Sequence, residues 1–124
     1  MKPDQRRLAQ DEPPLAAPVH RPLDDYAARV LDVAEAIPSG RVMSYGDIAE
    51  YLGEGGPRQV GRVMALWGGG VAWWRVVHAD GSLLAGHEQA ALARYREEGT
   101  PLRPSAGGGP GRIDMSRARW NGGS

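Results

Sequence analysis

Between Ser44 and Trp67 the chain reads SYGDIAEYLGEGGPRQVGRVMALW, two short helical runs on either side of the stretch GEGG. Ser44 is placed to cap the first run, and Asp47, three residues on, supplies the reciprocal half of a capping box. GEGG cannot continue a helix, because glycine loses too much backbone freedom there, and Pro57 suits the first position of the next one. The chain must therefore reverse on a tight turn between two helices. The residues allow two uses for such a unit: an αα-hairpin that only packs, or a helix-turn-helix that reads nucleic acid.

The flanking chain follows from the same local rules. LDDYAARVLDVAEAIPSG sets Tyr26, Val30, Val33 or Ala34, and Ile37 near helical spacing, with Asp24 or Asp25 able to cap the start and Pro38 and Gly40 ending it. RVMS is a short extended link. VAWWRVVHADGSLL is read as a strand, a turn at Ala79-Asp80-Gly81 and a return, forming the wing of a winged helix. GHEQAALARYREEG is a further helix closed by Gly99 and Pro101, and SAGGGPG is a flexible loop. RIDMSRARW then carries Arg112, Arg117 and Arg119 ahead of Trp120, for which a solvated basic surface is the expectation and phosphate contact the alternative.

The fold class is accordingly mainly α, a winged helix-turn-helix domain with a short β-hairpin wing. Residues 1–22 mix charges with repeated prolines and show no period, so they are read as a flexible N-terminal tail. The domain is expected over 23–104, followed by a Gly-rich loop and basic C-terminal extension over 105–124. A chain of 124 residues supports one domain with a small core.

Composition removes several chemistries. Formal net charge is zero, so any contact with nucleic acid must come from a local patch rather than a long-range field. There is no cysteine, hence no disulfide, no thiolate metal site and no thiol nucleophile. His20, His78 and His87 do not fall at metal-ligand spacing, and no metal or cofactor is expected. No apolar run is long enough to cross a bilayer and no signal-peptide h-region is seen, so no membrane partner and a cytoplasmic location are expected, nucleoid-associated in a bacterium.

Trp73 and Trp74 stand side by side in the segment read as a strand. Strand neighbours point to opposite faces, so one indole is expected in the core and the other elsewhere.

The ordered motifs SYGDIA, PRQVGRVMA, AWWRVV and REEG resemble the C-terminal DNA-binding domain of the alkylguanine-DNA alkyltransferases. The likeness is closer to the alkyltransferase-like proteins, whose reactive Cys is replaced, commonly by Trp, and it covers roughly residues 23–104. The transferase motif Pro-Cys-His-Arg-Val is matched here by Ala72, Trp73, Trp74, Arg75 and Val76. In the transferases a thiolate attacks the alkyl carbon, activated by the His and, through water, a Glu. With Trp73 at the Cys position and Trp74 at the His position, Glu98 matches the relay Glu but has nothing to relay to, and alkyl transfer is excluded.

What the resemblance implies about binding is more specific. Tyr45 matches the residue that pushes the flanking phosphate and rotates the nucleotide; outside this motif it would be read as a half-buried core Tyr. Arg58 matches the finger that fills the vacated stack, a role suited to a planar, charged guanidinium. Its helix is implied to lie in the minor groove, where Gly61 permits close approach; close helix packing explains that glycine equally well. Gln59 and Arg62 are backbone contacts. Trp73 is the wall of a base pocket completed by Tyr45, Met64, Val76, Val77 and the turn Asp80, Gly81, Ser82 and Leu83, while Arg75 pairs with an acidic side chain and Trp74 turns toward the helices. Asp80 stands where relatives without the Cys often hold an Arg, which implies altered base selectivity.

The implied partners are double-stranded DNA carrying O6-alkylguanine and nucleotide-excision-repair proteins, with the chain acting as a monomeric, non-enzymatic damage sensor. The rival is a sequence-specific transcriptional regulator using the same helix-turn-helix in a major groove. Arg58 directly after Pro57, with Tyr45 opening the preceding helix, favours the sensor.

Overall fold

The computed structural model describes residues 22–105, 107 and 111–123, so the expected tail over 1–22 lies, apart from Pro22, outside the described residues. Helix α1, Pro22–Ala36, buries Tyr26, Ala27, Val30, Val33 and Ala34 on one stripe, and Ile37 extends that stripe beyond its end. Strand β1 is Met43–Ser44, and α2, Tyr45–Leu52, starts at the expected capping box. Asp47 N–H donates to Ser44 Oγ at 3.0 Å, and Ser44 N–H donates to Asp47 Oδ2 at 3.0 Å. Gly53 ends α2 in the left-handed region, and Pro57 opens α3, Pro57–Trp67.

The turn between α2 and α3 is locked against α1. Gly55 has φ +74°, and a Cβ there would lie 2.4 Å from the Tyr26 hydroxyl oxygen, so glycine is required on both counts. That hydroxyl donates to the Glu54 carbonyl at 3.1 Å, and the Arg29 guanidinium pairs with the Glu54 carboxylate.

After α3 a 3-10 turn over Gly68–Gly70 leads to a second one over Trp73–Arg75, and only Val76–Val77 forms strand β2. This corrects the expected hairpin over 71–84. Trp73 N–H donates to Val71 O at 2.7 Å and Arg75 N–H to Ala72 O at 3.0 Å, so the tryptophans are wound rather than extended. β2 pairs in parallel with β1, Met43 opposite Val76 and Ser44 opposite Val77. The turn at Asp80 does form, but Gly81, at φ +80°, lies so close to Ile113 that a Cβ would sit 2.3 Å from its carbonyl oxygen. Ile113 N–H donates to Gly81 O at 2.8 Å, so the chain leaving the turn follows the C-terminal segment instead of returning along β2.

The antiparallel hairpin comes from elsewhere. Helix α4, Glu88–Glu98, is followed by β3, Leu102–Arg103, and β4, Arg112–Ile113, with Leu102 opposite Ile113 and Arg103 opposite Arg112. A short helix α5, Met115–Ala118, then brings Ala118 O within 3.0 Å of Val42 N–H, and Trp120 N–H donates to Val42 O at 2.8 Å. Ile113 and Ala118 are buried. The segment expected to be an extension beyond 104 therefore closes the core, because β1 needs a partner on the side that β2 leaves open.

The architecture is mainly helical, as expected, with two apolar clusters meeting at the small parallel ladder. α1, α2 and α3 enclose the first cluster, joined by Met43 and Val76. Val42, Val77, Ala91, Leu92, Tyr95, Ile113 and Ala118 form the second. Alternation sends Met43 and Val76 to the first cluster and Val77, with Val42 just ahead of β1, to the second, so the ladder ties the two halves together.

Candidate nucleic-acid interface

Helix α3 buries Val60 and Val63 against the first cluster and turns the opposite face outward. On that face Arg58, Gly61, Arg62 and Ala65 share one stripe at helical spacing. Arg58, Gln59 and Arg62 are exposed, although Gln59 Oε1 already accepts the Gly56 N–H at 3.0 Å. A Cβ on Gly61 would meet nothing within 4 Å. Close helix packing, one of the two explanations for this glycine, is thereby excluded.

The stripe borders a cavity of about 520 Å³ lined by Tyr45, Gly61, Met64, Ala65, Gly68, Gly69, Trp73, Leu84, Ala85 and His87. Tyr45 enters it from the first turn of α2, a position set by the Ser44 cap. Its ring lies 5.3 Å from that of His78, and burial raises its hydroxyl above the ordinary phenol value, so it remains a proton donor at neutral pH. Trp73 makes edge contacts with His87 at 5.8 Å and with Trp74 at 5.7 Å. Three of the expected pocket residues, Tyr45, Met64 and Trp73, thus share one cavity, and Gly61 joins them.

The other expected pocket residues lie elsewhere. Val76 and Val77 are 5% and 4% exposed, consumed by the two clusters as strand residues. Asp80 is exposed at its turn, where its carboxylate accepts the Ser82 N–H at 3.0 Å and the Ser82 hydroxyl at 2.7 Å; these bonds hold it below the usual carboxylate range. Gly81 packs on Ile113, and Ser82 and Leu83 line a different cleft. The displacement of 80–83 has one cause, the absence of the hairpin that would have laid them beside Trp73. In their place Leu84, Ala85 and His87 close the cavity, residues for which the sequence offered no signal. Ala65, by contrast, stands one helical turn beyond Gly61 and could have been found by extending that face.

Behind Trp73, Glu98 is fully engaged rather than idle. Its Oε2 accepts the Trp74 indole N–H at 2.9 Å and Arg75 Nη2 at 2.6 Å, and its Oε1 accepts Arg75 Nε at 3.1 Å and the Gly40 N–H at 2.9 Å. Burial alone would raise the Glu98 pKa, but the Arg75, Gly40 and Trp74 donors outweigh it and hold the group below its ordinary value. Arg75 also donates to Ile37 O at 2.9 Å, in keeping with its expected pairing role. The Tyr95 hydroxyl, raised by burial, donates to Trp74 O at 2.6 Å, and the Arg94 guanidinium lies 4.6 Å over the Trp74 ring. The two indoles do part company, but through the 3-10 turn and this carboxylate, and Trp74 is half-buried rather than deep in the core.

Among the described residues no group of three or more His, Cys, Asp or Glu is placed to hold a metal ion. No helix among them is long and apolar enough to cross a membrane.

A helix-turn-helix whose outer helix borders an indole-walled cavity defines a class of DNA-contacting domain, and comparison with known proteins names the family. Residues 25–99 match the family described as 6-O-methylguanine DNA methyltransferase, DNA binding domain, and the chain belongs to it. The Escherichia coli DNA base-flipping protein is 36% identical, covering 79% of this chain and 76% of its own. Alkyltransferase-like protein 1 of Schizosaccharomyces pombe is 33% identical, covering 64% of this chain and 81% of its own. The crystal structure of S. pombe Atl1 in complex with damaged DNA containing O6-carboxymethylguanine matches with a TM-score of 0.67 at 30% identity, covering 78% of this chain and 95% of that one. The resemblance carried by SYGDIA, PRQVGRVMA and AWWRVV holds.

Proposed function

We propose that this chain detects O6-alkylguanine in duplex DNA by rotating the base out of the stack into the Trp73 cavity, and performs no chemistry on it. The observation that carries this reading is the position of Trp73: the residue that the resemblance matches to the transferase nucleophile lines a cavity of about 520 Å³, shared with Tyr45 and bordered by the outer face of α3. A stacked guanine hides its alkyl group, so recognition requires an extruded base, and an indole offers it an apolar, polarizable wall. Trp73 carries no ionisable nucleophile, and no cysteine exists anywhere in the chain to accept an alkyl group.

In this reading Arg58 fills the vacated stack, Tyr45 presses the flanking phosphate, and Gln59 and Arg62 hold the backbone. The small residues Gly61 and Ala65 let α3 approach a minor groove closely. A regulator reading base edges in a major groove would instead need long polar side chains at the centre of that face. The monomer and its distorted DNA together then mark the lesion for nucleotide-excision-repair proteins in the cytoplasm or nucleoid.

The experiment is a binding comparison between duplexes that differ only in one O6-methylguanine, for the parent and for Arg58→Ala. Tighter binding of the damaged duplex by the parent is expected, with a loss of about 1–3 kcal/mol in the variant, the scale of a specific base contact. Equal affinity of the parent for both duplexes would favour the regulator.

A further inference from the structure

The C-terminal hairpin carries a charge arrangement that the base-flipping device does not use. Arg103 and Arg112 are direct cross-strand partners on β3 and β4, each strand only two residues long, and both are exposed. Like charges directly opposite on an antiparallel pair repel and weaken it. Several other arginines are engaged: Arg29 with Glu54, Arg75 with Glu98, Arg119 with Asp47 at 3.0 Å, and Arg41 with the Ala118 and Arg119 carbonyls. Among the described residues neither Arg103 nor Arg112 makes an ion pair within 4.0 Å; their charges help to hold the Asp114 and Asp80 carboxylates below the ordinary range, and Arg112 adds a 3.4 Å bond to the Asp80 carbonyl.

Both arginines open onto one cleft of about 630 Å³, together with Ser82, Glu88 and Ser105. The Glu88 carboxylate accepts the Gly86 N–H at 3.0 Å through one oxygen and remains an anionic group at the edge of the cleft. One segment, residues 82–88, walls two sites: Ser82 and Glu88 face this cleft, while Leu84, Ala85 and His87 face the Trp73 cavity. The Trp73 cavity and the arginine cleft thus share one wall.

The geometry points to a second contact: Arg103 and Arg112 form a clamp for one DNA phosphodiester beside the extruded nucleotide. A phosphate between two guanidiniums turns their repulsion into paired, charge-assisted hydrogen bonds, for which the arginine fork is well shaped. The clamp holds backbone and reads no base, so it acts on damaged and undamaged duplexes alike. It rests on the DNA-binding reading above but not on lesion recognition.

The test compares the parent, Arg103→Ala/Arg112→Ala and Arg103→Glu for affinity to an undamaged and an O6-methylguanine duplex over a salt series, with thermal unfolding of each free protein. The double variant is expected to bind both duplexes more weakly by the same factor, and its plot of log affinity against log salt to be shallower by about 0.9, the value for one phosphate. Arg103→Glu replaces the repulsion with a cross-strand ion pair facing Arg112, so it should melt no lower than the parent yet lose affinity, which separates binding from folding. An unchanged salt slope, or a loss confined to the damaged duplex, overturns the clamp. If millimolar inorganic phosphate at fixed ionic strength shifts the Arg103 and Arg112 Nε–H resonances while the duplex does not, the site belongs to free phosphate and the DNA assignment is wrong. Should the parent fail to distinguish the two duplexes, lesion sensing falls, and the slope on undamaged DNA still decides the clamp.

Discussion

Replacing Gly61 with alanine should move stability and DNA affinity in opposite directions. Gly61 is an interior residue of the 11-residue α3, its φ is not positive, and a Cβ would meet nothing within 4 Å. Alanine therefore enters without strain and removes the entropic cost of a helical glycine, a gain of about 0.5–1 kcal/mol. In a domain of this size that raises the midpoint of thermal unfolding by about 2–8 °C. In the proposed complex the added methyl lies between Arg58 and Arg62 at the point of closest approach, where overpacking costs about 1–3 kcal/mol, or about 5- to 150-fold in affinity. Circular-dichroism melting of the free protein and fluorescence anisotropy with a damaged duplex, in one buffer, give both numbers. A higher melting point with unchanged affinity would show that this face does not approach DNA. A lower melting point would show that the space around Gly61 is not open and that the glycine serves the fold after all.

Incubation with an O6-methylguanine duplex should leave the mass of the protein and the lesion unchanged, since no thiolate is present; a methyl increment on the protein by mass spectrometry would contradict this. Trp73→Ala should spare the fold and change lesion affinity by about 1–3 kcal/mol, the worth of stacking on one base. Trp74→Ala should lower stability by up to about 3 kcal/mol, the low end for removing a large buried aromatic, because the ring is half-buried yet anchors Glu98. If the two phenotypes are exchanged, the cavity belongs to Trp74. Glu98 is held below its unfolded pKa, so its contribution is fully present above the unfolded value and is lost as pH falls through the folded one. Glu98→Gln should accordingly flatten the acid limb of stability against pH, and an unaltered limb in chemical denaturation would remove Glu98 as the anchor of Arg75 and Trp74.

The chain's amino acids by themselves determined the helix-turn-helix, because its signals act within a few residues of one another. Ser44 and Asp47 cap each other, GEGG turns the chain, Pro57 starts α3, and the buried stripe of α1 repeats every three or four residues. The absence of a nucleophile is a matter of composition, and the ordered motifs were enough to reach the family. The partnerships of β1 and β2 were decided only in three dimensions. Two-residue strands have no period to read, and whether Val76 pairs with Met43 or with a local return depends on which carbonyls and N–H groups remain free once Ile113 has taken Gly81. That choice carried Asp80, Gly81, Ser82 and Leu83 away from Trp73 and brought Leu84, Ala85 and His87 to it. It also set Arg103 opposite Arg112 across a stretch in which local sequence shows only a Gly-rich loop and a basic extension. Capping and periodicity are short-range and leave a trace along the chain, whereas strand pairing joins distant residues through backbone groups that every amino acid other than proline carries in full.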